Sequence, residues 1–280
     1  MADQLSNGEQ LLEINGVDLC VETFGNAEHP AVLLVHGAAA SMLWWDAELC
    51  ERIAVHDRFV IRYDNRDTGR STSYPPGKPG YSLTDLVGDA LGILDALGVE
   101  RAHIVGQSMF GGIVLVFGVD HPDRVASLTF VCTSTGDSGL PPPTLRLNAP
   151  APPDYTDPAE VVDFTVGSTK AYAGDSPLFD ETAMRALVEH DVARATNIES
   201  TLTNHYAMDI DGPTGGSFGD IDAPTLVVHG DHDPVFPLAH GEALRDAVPG
   251  AELVVLPGAG HEVPRALWDV FVQALVRHTS

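Results

Sequence analysis

The stretch Ala102-His103-Ile104-Val105-Gly106-Gln107-Ser108-Met109-Phe110-Gly111-Gly112 constrains this chain more than any other. An apolar run ends in a serine set among small residues, and a helical pattern begins straight after it. A chain laid out in this way lifts the serine off the end of a buried strand on a sharp strand-to-helix turn. The hydroxyl and the free N–H groups of the helix start then face the same space. Such a turn needs a parallel sheet beneath it, and a nucleophile there needs a base, an acid to orient that base and donors for a developing oxyanion.

The rest of the chain supplies the sheet. Leu11–Ile14 and Val17–Phe24 are expected as two strands joined at Asn15-Gly16, a strong hairpin signal. Ala31–Val35 is apolar without alternation, as in a strand covered on both faces, and runs into His36-Gly37-Ala38. A helix is expected over Trp44–Ala54, a strand over Arg58–Tyr63, and a helix over Ser82–Leu97. That last helix has Ser82 as its N-cap, Asp85 three residues on and Gly98 at its end. Gly111–Asp120 forms the helix after the serine, stopped by Pro122, and Val125–Cys132 another buried strand. Repeated alternation of strand and helix defines an α/β chain with a mostly parallel sheet flanked by helices.

Composition changes at Thr133. Up to about Gly219 the chain is rich in Pro, Gly, Ser, Thr and Asp, with helical patches at Pro158–Thr169 and Glu181–Tyr206. Pro141–Pro143 and Pro150–Pro153 cannot continue regular structure. The alternation resumes with Thr225–Val228, a helix over Leu238–Val248, a strand over Ala251–Leu256 and a helix over Val263–Arg277. The expected organisation is a core of residues 1–133 and 220–280 interrupted by a mainly helical cap, 134–219. The final segment is too short to fold alone.

Charge and cysteine usage narrow the class. With 40 acidic against 15 basic residues the formal charge is -25, which repels phosphate and argues against a nucleic-acid partner. Met1–Gln10 has no signal-peptide pattern, and no apolar run reaches the roughly 20 residues of a membrane span. The three cysteines are odd in number and scattered, so no disulfide framework or zinc site is expected, and the location expected is cytoplasmic. No oligomeric state follows from the sequence.

The candidate chemistry gathers in loops after strands. Ser108 is the candidate nucleophile, against the plainer reading of an N-cap. His261, in Pro257-Gly258-Ala259-Gly260-His261-Glu262, is the candidate base, picked from 12 histidines because a glycine-rich loop lets it approach the sheet edge. Asp233, in Gly230-Asp231-His232-Asp233-Pro234, is the candidate acid, with Asp231 and Asp137 as rivals. Parallel strands place all such loops on one edge of the sheet. The backbone N–H groups of Met109 and Ala38 are the candidate oxyanion donors, by position alone. Trp44 and Trp45 either line a substrate pocket or form the buried face of the first helix. Arg66 and Asp64 are expected to brace their own turn. His229 and His232 lack tight metal-ligand spacing, so no metal is expected.

The order Ser, Asp, His, with His-Gly after an early strand and Gly-x-Gly-His near the end, resembles the α/β-hydrolase superfamily. Asp64-Asn65-Arg66-Asp67-Thr68-Gly69-Arg70-Ser71 resembles its Asp-x-Arg-Gly-x-Gly-x-Ser turn, with Asp67 in place of a glycine. Val60–Ser71 and Asp120-His121-Pro122-Asp123-Arg124 are most similar to aclacinomycin methylesterase-like carboxylesterases. The resemblance covers about 11–133 and 220–280 and not the cap. It implies an α/β-hydrolase fold with an inserted cap and hydrolysis of a small-molecule carboxylic ester through an acyl-enzyme, without a cofactor. A lactonase, a perhydrolase and a carbon–carbon bond hydrolase share the same residues, and a slow-turnover ligand-binding receptor is the reading outside catalysis. A dehalogenase would carry an aspartate where this chain has Ser108. Phe110 departs from the pattern, which has glycine two residues after the serine because strand and helix approach closely there. It is expected to be either a tolerated packing change or a residue that repacks the back of the turn.

Overall fold

A computed structural model describes residues 6–145 and 151–280. Pro150 of the proline run 150–153 and the first five residues of the chain lie outside the described residues.

The chain begins with the expected hairpin, β1 (Ser6–Ile14) and β2 (Val17–Phe24), paired antiparallel in the register Ile14 to Val17. Its turn has Asn15 and Gly16 at φ 52° and 79°, the positive pair that a tight hairpin requires. Then come β3 (Ala31–Val35), α1 (Ala47–Ala54), β4 (Phe59–Tyr63), α2 (Leu83–Ala96), β5 (Ala102–Gln107), α3 (Gly111–Asp120) and β6 (Val125–Val131). After a long segment the pattern resumes with β7 (Thr225–Gly230), α7 (Ala239–Ala247), β8 (Glu252–Leu256) and α8 (Trp268–His278). The eight strands form one sheet in the order β1-β2-β4-β3-β5-β6-β7-β8. The hairpin is antiparallel, and β4 through β8 run parallel.

Alternating side chains divide the apolar core into two layers, as a pleated strand requires. Leu33, Val35 and Ile104 meet α2, α3 and α7 on one face. Val32, Leu34 and Val105 meet α1 and α8 on the other. Burial on both faces is why these central strands read as unbroken apolar runs.

The segment between β6 and β7 carries α4 (Pro158–Ala173), α5 (Glu181–Arg194) and α6 (Ile198–Thr203). Here the helical patch expected over Glu181–Tyr206 is two helices. Asn197 starts the second one by accepting the Ser200 N–H at 3.2 Å. Two other helices begin later than expected. Asp46 caps α1 by accepting from Glu48 N–H, so Trp44 lies in a preceding 3-10 turn. Pro264 holds extended backbone before α8, which therefore starts at Trp268 rather than Val263. Among the described residues no helix is long and apolar enough to cross a membrane.

Candidate active site

Three loops at one edge of the parallel sheet bring Ser108, His261 and Asp233 together. Ser108 follows β5 at φ 53°, in the left-handed region where a non-glycine residue costs roughly 1–3 kcal/mol unless its surroundings hold it. Two contacts hold the turn. The Ser108 carbonyl accepts from Thr133 Oγ1 at 2.7 Å, and the loop after β3 passes so close that a Cβ on Gly37 would lie 3.1 Å from Ser108 Cβ. A side chain at this position would press on the serine by a few tenths of an ångström, and glycine avoids that contact.

His261 follows β8, and its backbone N–H donates to the Tyr172 carbonyl of α4 at 3.1 Å. Its Nε2 lies 2.8 Å from Ser108 Oγ, and its Nδ1 lies 2.7 Å from Asp233 Oδ2. The second carboxylate oxygen of Asp233 accepts the Val235 and Phe236 N–H groups at 2.8 and 2.9 Å. These bonds stabilise a carboxylate that is only 4% exposed. A carboxylate on Nδ1 leaves Nε2 free to accept the serine proton. The rings of Tyr172 and Phe236 stand 6.1 and 5.6 Å from the His261 ring and wall it on two sides.

The rival acids are engaged elsewhere. Asp231 accepts the Gly258 N–H at 2.6 Å, and Asp137 is exposed and bonded to Thr135. Among the described residues, neither the Ala38 nor the Met109 N–H donates to a protein acceptor. His36, before Gly37, is half-buried, and burial of its ring followed by repulsion from His261 pushes its pKa down to about 3. Glu262, beside His261, has a buried oxygen without a partner among the described residues, and burial raises its pKa to about 7. Donor atoms of Cys132, Asp233 and His261 lie within 4.8 Å of one another. The Asp233 and His261 atoms face each other, and burial holds the Cys132 thiol well above its ordinary pKa, so it is a neutral neighbour rather than a thiolate.

The two tryptophans separate. Trp45 is 1% exposed and stacks on Phe271 of α8 at 6.0 Å; of the two alternatives open for it, it takes the core one, because the chain turns inward to start α1. Trp44 packs on the small core formed by Val162 and Val166 of α4 with Val188 of α5, and its Nε1 donates to Asp191 at 2.7 Å. Arg66 pairs with Asp89, and Asp64 accepts the Met42 and Arg70 N–H groups, so both brace the turn. His229 donates Nε2–H to the Phe236 carbonyl at 2.7 Å, inside the loop that carries Asp233. His232 meets Asp175 at the surface.

Phe110 is fully buried in the core on the α2–α3 side, and its ring meets His205 edge-on at 5.0 Å. The close approach falls instead at the next residue, where a Cβ on Gly111 would lie 2.5 Å from Thr133 Oγ1. The residues without a sequence signal are those of the insertion. Asn204 donates to Asp67 at 2.9 Å. His205 Nε2 reaches the Arg66 carbonyl at 2.9 Å, and its Nδ1 accepts the Ala39 N–H at 3.1 Å.

This sheet order, with a serine, a histidine and an aspartate on the loops after β5, β8 and β7, defines the class. Residues 30–264 match the family described as alpha/beta hydrolase fold, and the chain belongs to it, a hydrolase of the α/β fold. In particular, it is similar to rhodomycin D methylesterase DauP of Streptomyces sp. (strain C5), at 30% identity over 94% of this chain and 95% of that one. It is 28% identical to rhodomycin D methylesterase DnrP of Streptomyces peucetius, over the same shares of the two chains. A hydrolase from Pseudomonas aeruginosa PA01 of known crystal structure superposes with a TM-score of 0.70 at 26% identity, covering 97% of this chain and 98% of that one.

Proposed function

We propose that this protein is a serine carboxylesterase that hydrolyses esters of small alcohols, methyl esters among them, through an acyl-enzyme. The observation that carries this reading is the unbroken chain from Ser108 Oγ through the His261 ring to Asp233, at 2.8 and 2.7 Å. Its support in the comparisons is that two relatives matching 94% of the chain are named methylesterases.

In this reading His261 Nε2 takes the Ser108 proton as Oγ attacks the ester carbonyl, and Asp233 stabilises the resulting imidazolium through Nδ1–H. The Ala38 and Met109 N–H groups receive the oxyanion. Collapse of the tetrahedral intermediate breaks the ester C–O bond, and the alcohol leaves with the proton carried by His261. Water then gives a proton to the same nitrogen and attacks the acyl group, and the acid is released as Ser108 regains its hydrogen. Residues 134–219 act as a cap whose Tyr172 borders the acyl or alcohol group. No step calls for a cofactor.

The test is turnover of p-nitrophenyl esters of short and medium acids, and of methyl esters, by wild type and Ser108→Ala side by side. Wild type turns over, and Ser108→Ala loses at least about 1,000-fold in kcat with an unchanged circular dichroism spectrum. Retained turnover in a folded Ser108→Ala variant overturns the reading. A parallel panel of lactones and diketones places the preferred bond.

A further inference from the structure

His205 lies just beyond α6, at the end of the insertion, and is completely buried. Each of its ring nitrogens meets a backbone group from a different loop of the core. The Ala39 N–H, which can only donate, lies 3.1 Å from Nδ1, and the Arg66 carbonyl, which can only accept, lies 2.9 Å from Nε2. The two partners therefore dictate one neutral tautomer, with the proton on Nε2 and the lone pair on Nδ1. Burial pushes the pKa of this ring down to about 4, which keeps that lone pair available near neutral pH. The ring cannot swing, because Phe110 and Tyr81 meet it edge-on at 5.0 and 6.4 Å.

What His205 holds is the residue after Ala38. Ala39 has φ 58°, a conformation that a residue with a Cβ keeps only when its surroundings impose it. Peptide planes are rigid, so fixing the plane between Ala38 and Ala39 leaves only the two Ala38 dihedrals to aim the plane that carries the Ala38 N–H. The preceding residue, Gly37, is the one pressed against Ser108. One hydrogen bond, spanning 166 residues of sequence, thus ties the insertion to the loop over the nucleophile.

We propose that His205 is a positioning residue for the oxyanion hole, holding the Ala39 peptide so that the Ala38 N–H faces the oxygen of the tetrahedral intermediate. This inference rests on the esterase reading above. It also gives Phe110 a role: the side chain in place of the usual glycine seats the His205 ring.

Two conservative amides separate the two bonds of the ring. In His205→Asn the amide oxygen takes the Nδ1 position and accepts from Ala39 without reaching Arg66. In His205→Gln the amide lies one atom further out, reaching Arg66 and leaving the Ala39 N–H without its acceptor. With p-nitrophenyl acetate, His205→Asn keeps kcat within about threefold, and His205→Gln loses about 10- to 100-fold in kcat with KM little changed. Inhibition by phenylboronic acid, which forms a tetrahedral adduct on an activated serine, weakens in parallel with kcat. Equal kcat and equal boronic-acid affinity in the two variants overturn the proposal, as does a loss confined to KM. Wild-type heteronuclear NMR of labelled histidine gives a check independent of how the variants fold. His205 Nδ1 is unprotonated near neutral pH, and a protonated Nδ1 overturns the proposal. Ser108→Ala, run alongside, keeps the two readings apart. If it is as active as wild type, the esterase reading fails and this inference with it. If it is inactive while the two amides are indistinguishable, only the role of His205 fails.

Discussion

Ser108 and Ala39 are both non-glycine residues at positive φ, at 53° and 58°, and both lie within the loops that meet at the nucleophile. Neither conformation follows from its own residue type; Thr133 and His205 supply the contacts that hold them. Phe110 shows the same dependence. Its departure from the usual glycine is visible in the sequence, while its partner, 95 positions further on in the chain at His205, is not. The structure resolves the crowding that a glycine there would avoid: the tight contact with Thr133 falls on Gly111, which frees position 110 to carry a ring. Because that ring is fully buried, Phe110→Ala removes packing and leaves a cavity beside His205. The expected cost is about 3–5 kcal/mol in urea unfolding, with a loss of kcat that exceeds any change in KM. Unchanged unfolding together with unchanged kcat would remove the role assigned to this side chain.

At the scale of elements, the turn after β4 is where the insertion is anchored. Asp67 stands at φ 69° where the superfamily turn has glycine, a conformation aspartate adopts more readily than most side chains. Its carboxylate accepts from Tyr74 N–H and the Tyr81 hydroxyl at 2.6 Å each, and from Asn204 at 2.9 Å. The Asp67 carbonyl accepts from Thr201 of α6. Asp67→Gly restores the superfamily residue and relieves the backbone, yet leaves these three donors and the Ser73 hydroxyl, at 3.2 Å from the same carboxylate, without their acceptor. Unfolding stability is expected to fall by about 2–4 kcal/mol, with limited proteolysis mapping new cuts to 195–206. A variant as stable and protease-resistant as wild type would show that the anchor lies elsewhere. Sequence periodicity placed most of these elements because an apolar stripe or run marks each one. It misplaced the start of α1 and the break between α5 and α6 because those boundaries are set by caps, at Asp46 and Asn197, that compete with equally suitable residues nearby.

For the whole molecule, buried titratable groups set the pH range of stability. His36 and His205 are held neutral by burial, at about 3 and about 4 against the ordinary 6.5. Their contribution is fully present above pH 6.5 and is lost as pH falls toward those values, because only the unfolded chain takes up the protons. Each group adds up to about 1.4 kcal/mol per pH unit in that window. Glu262 runs the other way: raised by burial from 4.5 to about 7, it contributes below 4.5 and loses that contribution as pH rises through 7. Urea midpoints are therefore expected to peak near pH 6.5 and fall steeply on the acid side. Glu262→Gln is expected to stabilise the protein at about pH 8 and to leave it unchanged at about pH 4. A flat profile, or a Glu262→Gln gain confined to acid pH, would contradict the burial seen here.

The sequence by itself determined the layered sheet, since runs buried on both faces and stripes buried on one leave a readable apolar pattern. It also determined that Ser108, Asp233 and His261 share one sheet edge, because parallel strands all end on the same side. Only the tertiary structure decided how the insertion grips the core: Trp44 on Asp191, Asn204 on Asp67, His205 on Ala39. Those contacts join residues more than a hundred positions apart through single hydrogen bonds. A hydrogen bond leaves no periodicity in a sequence, and any of several polar residue types could have made it.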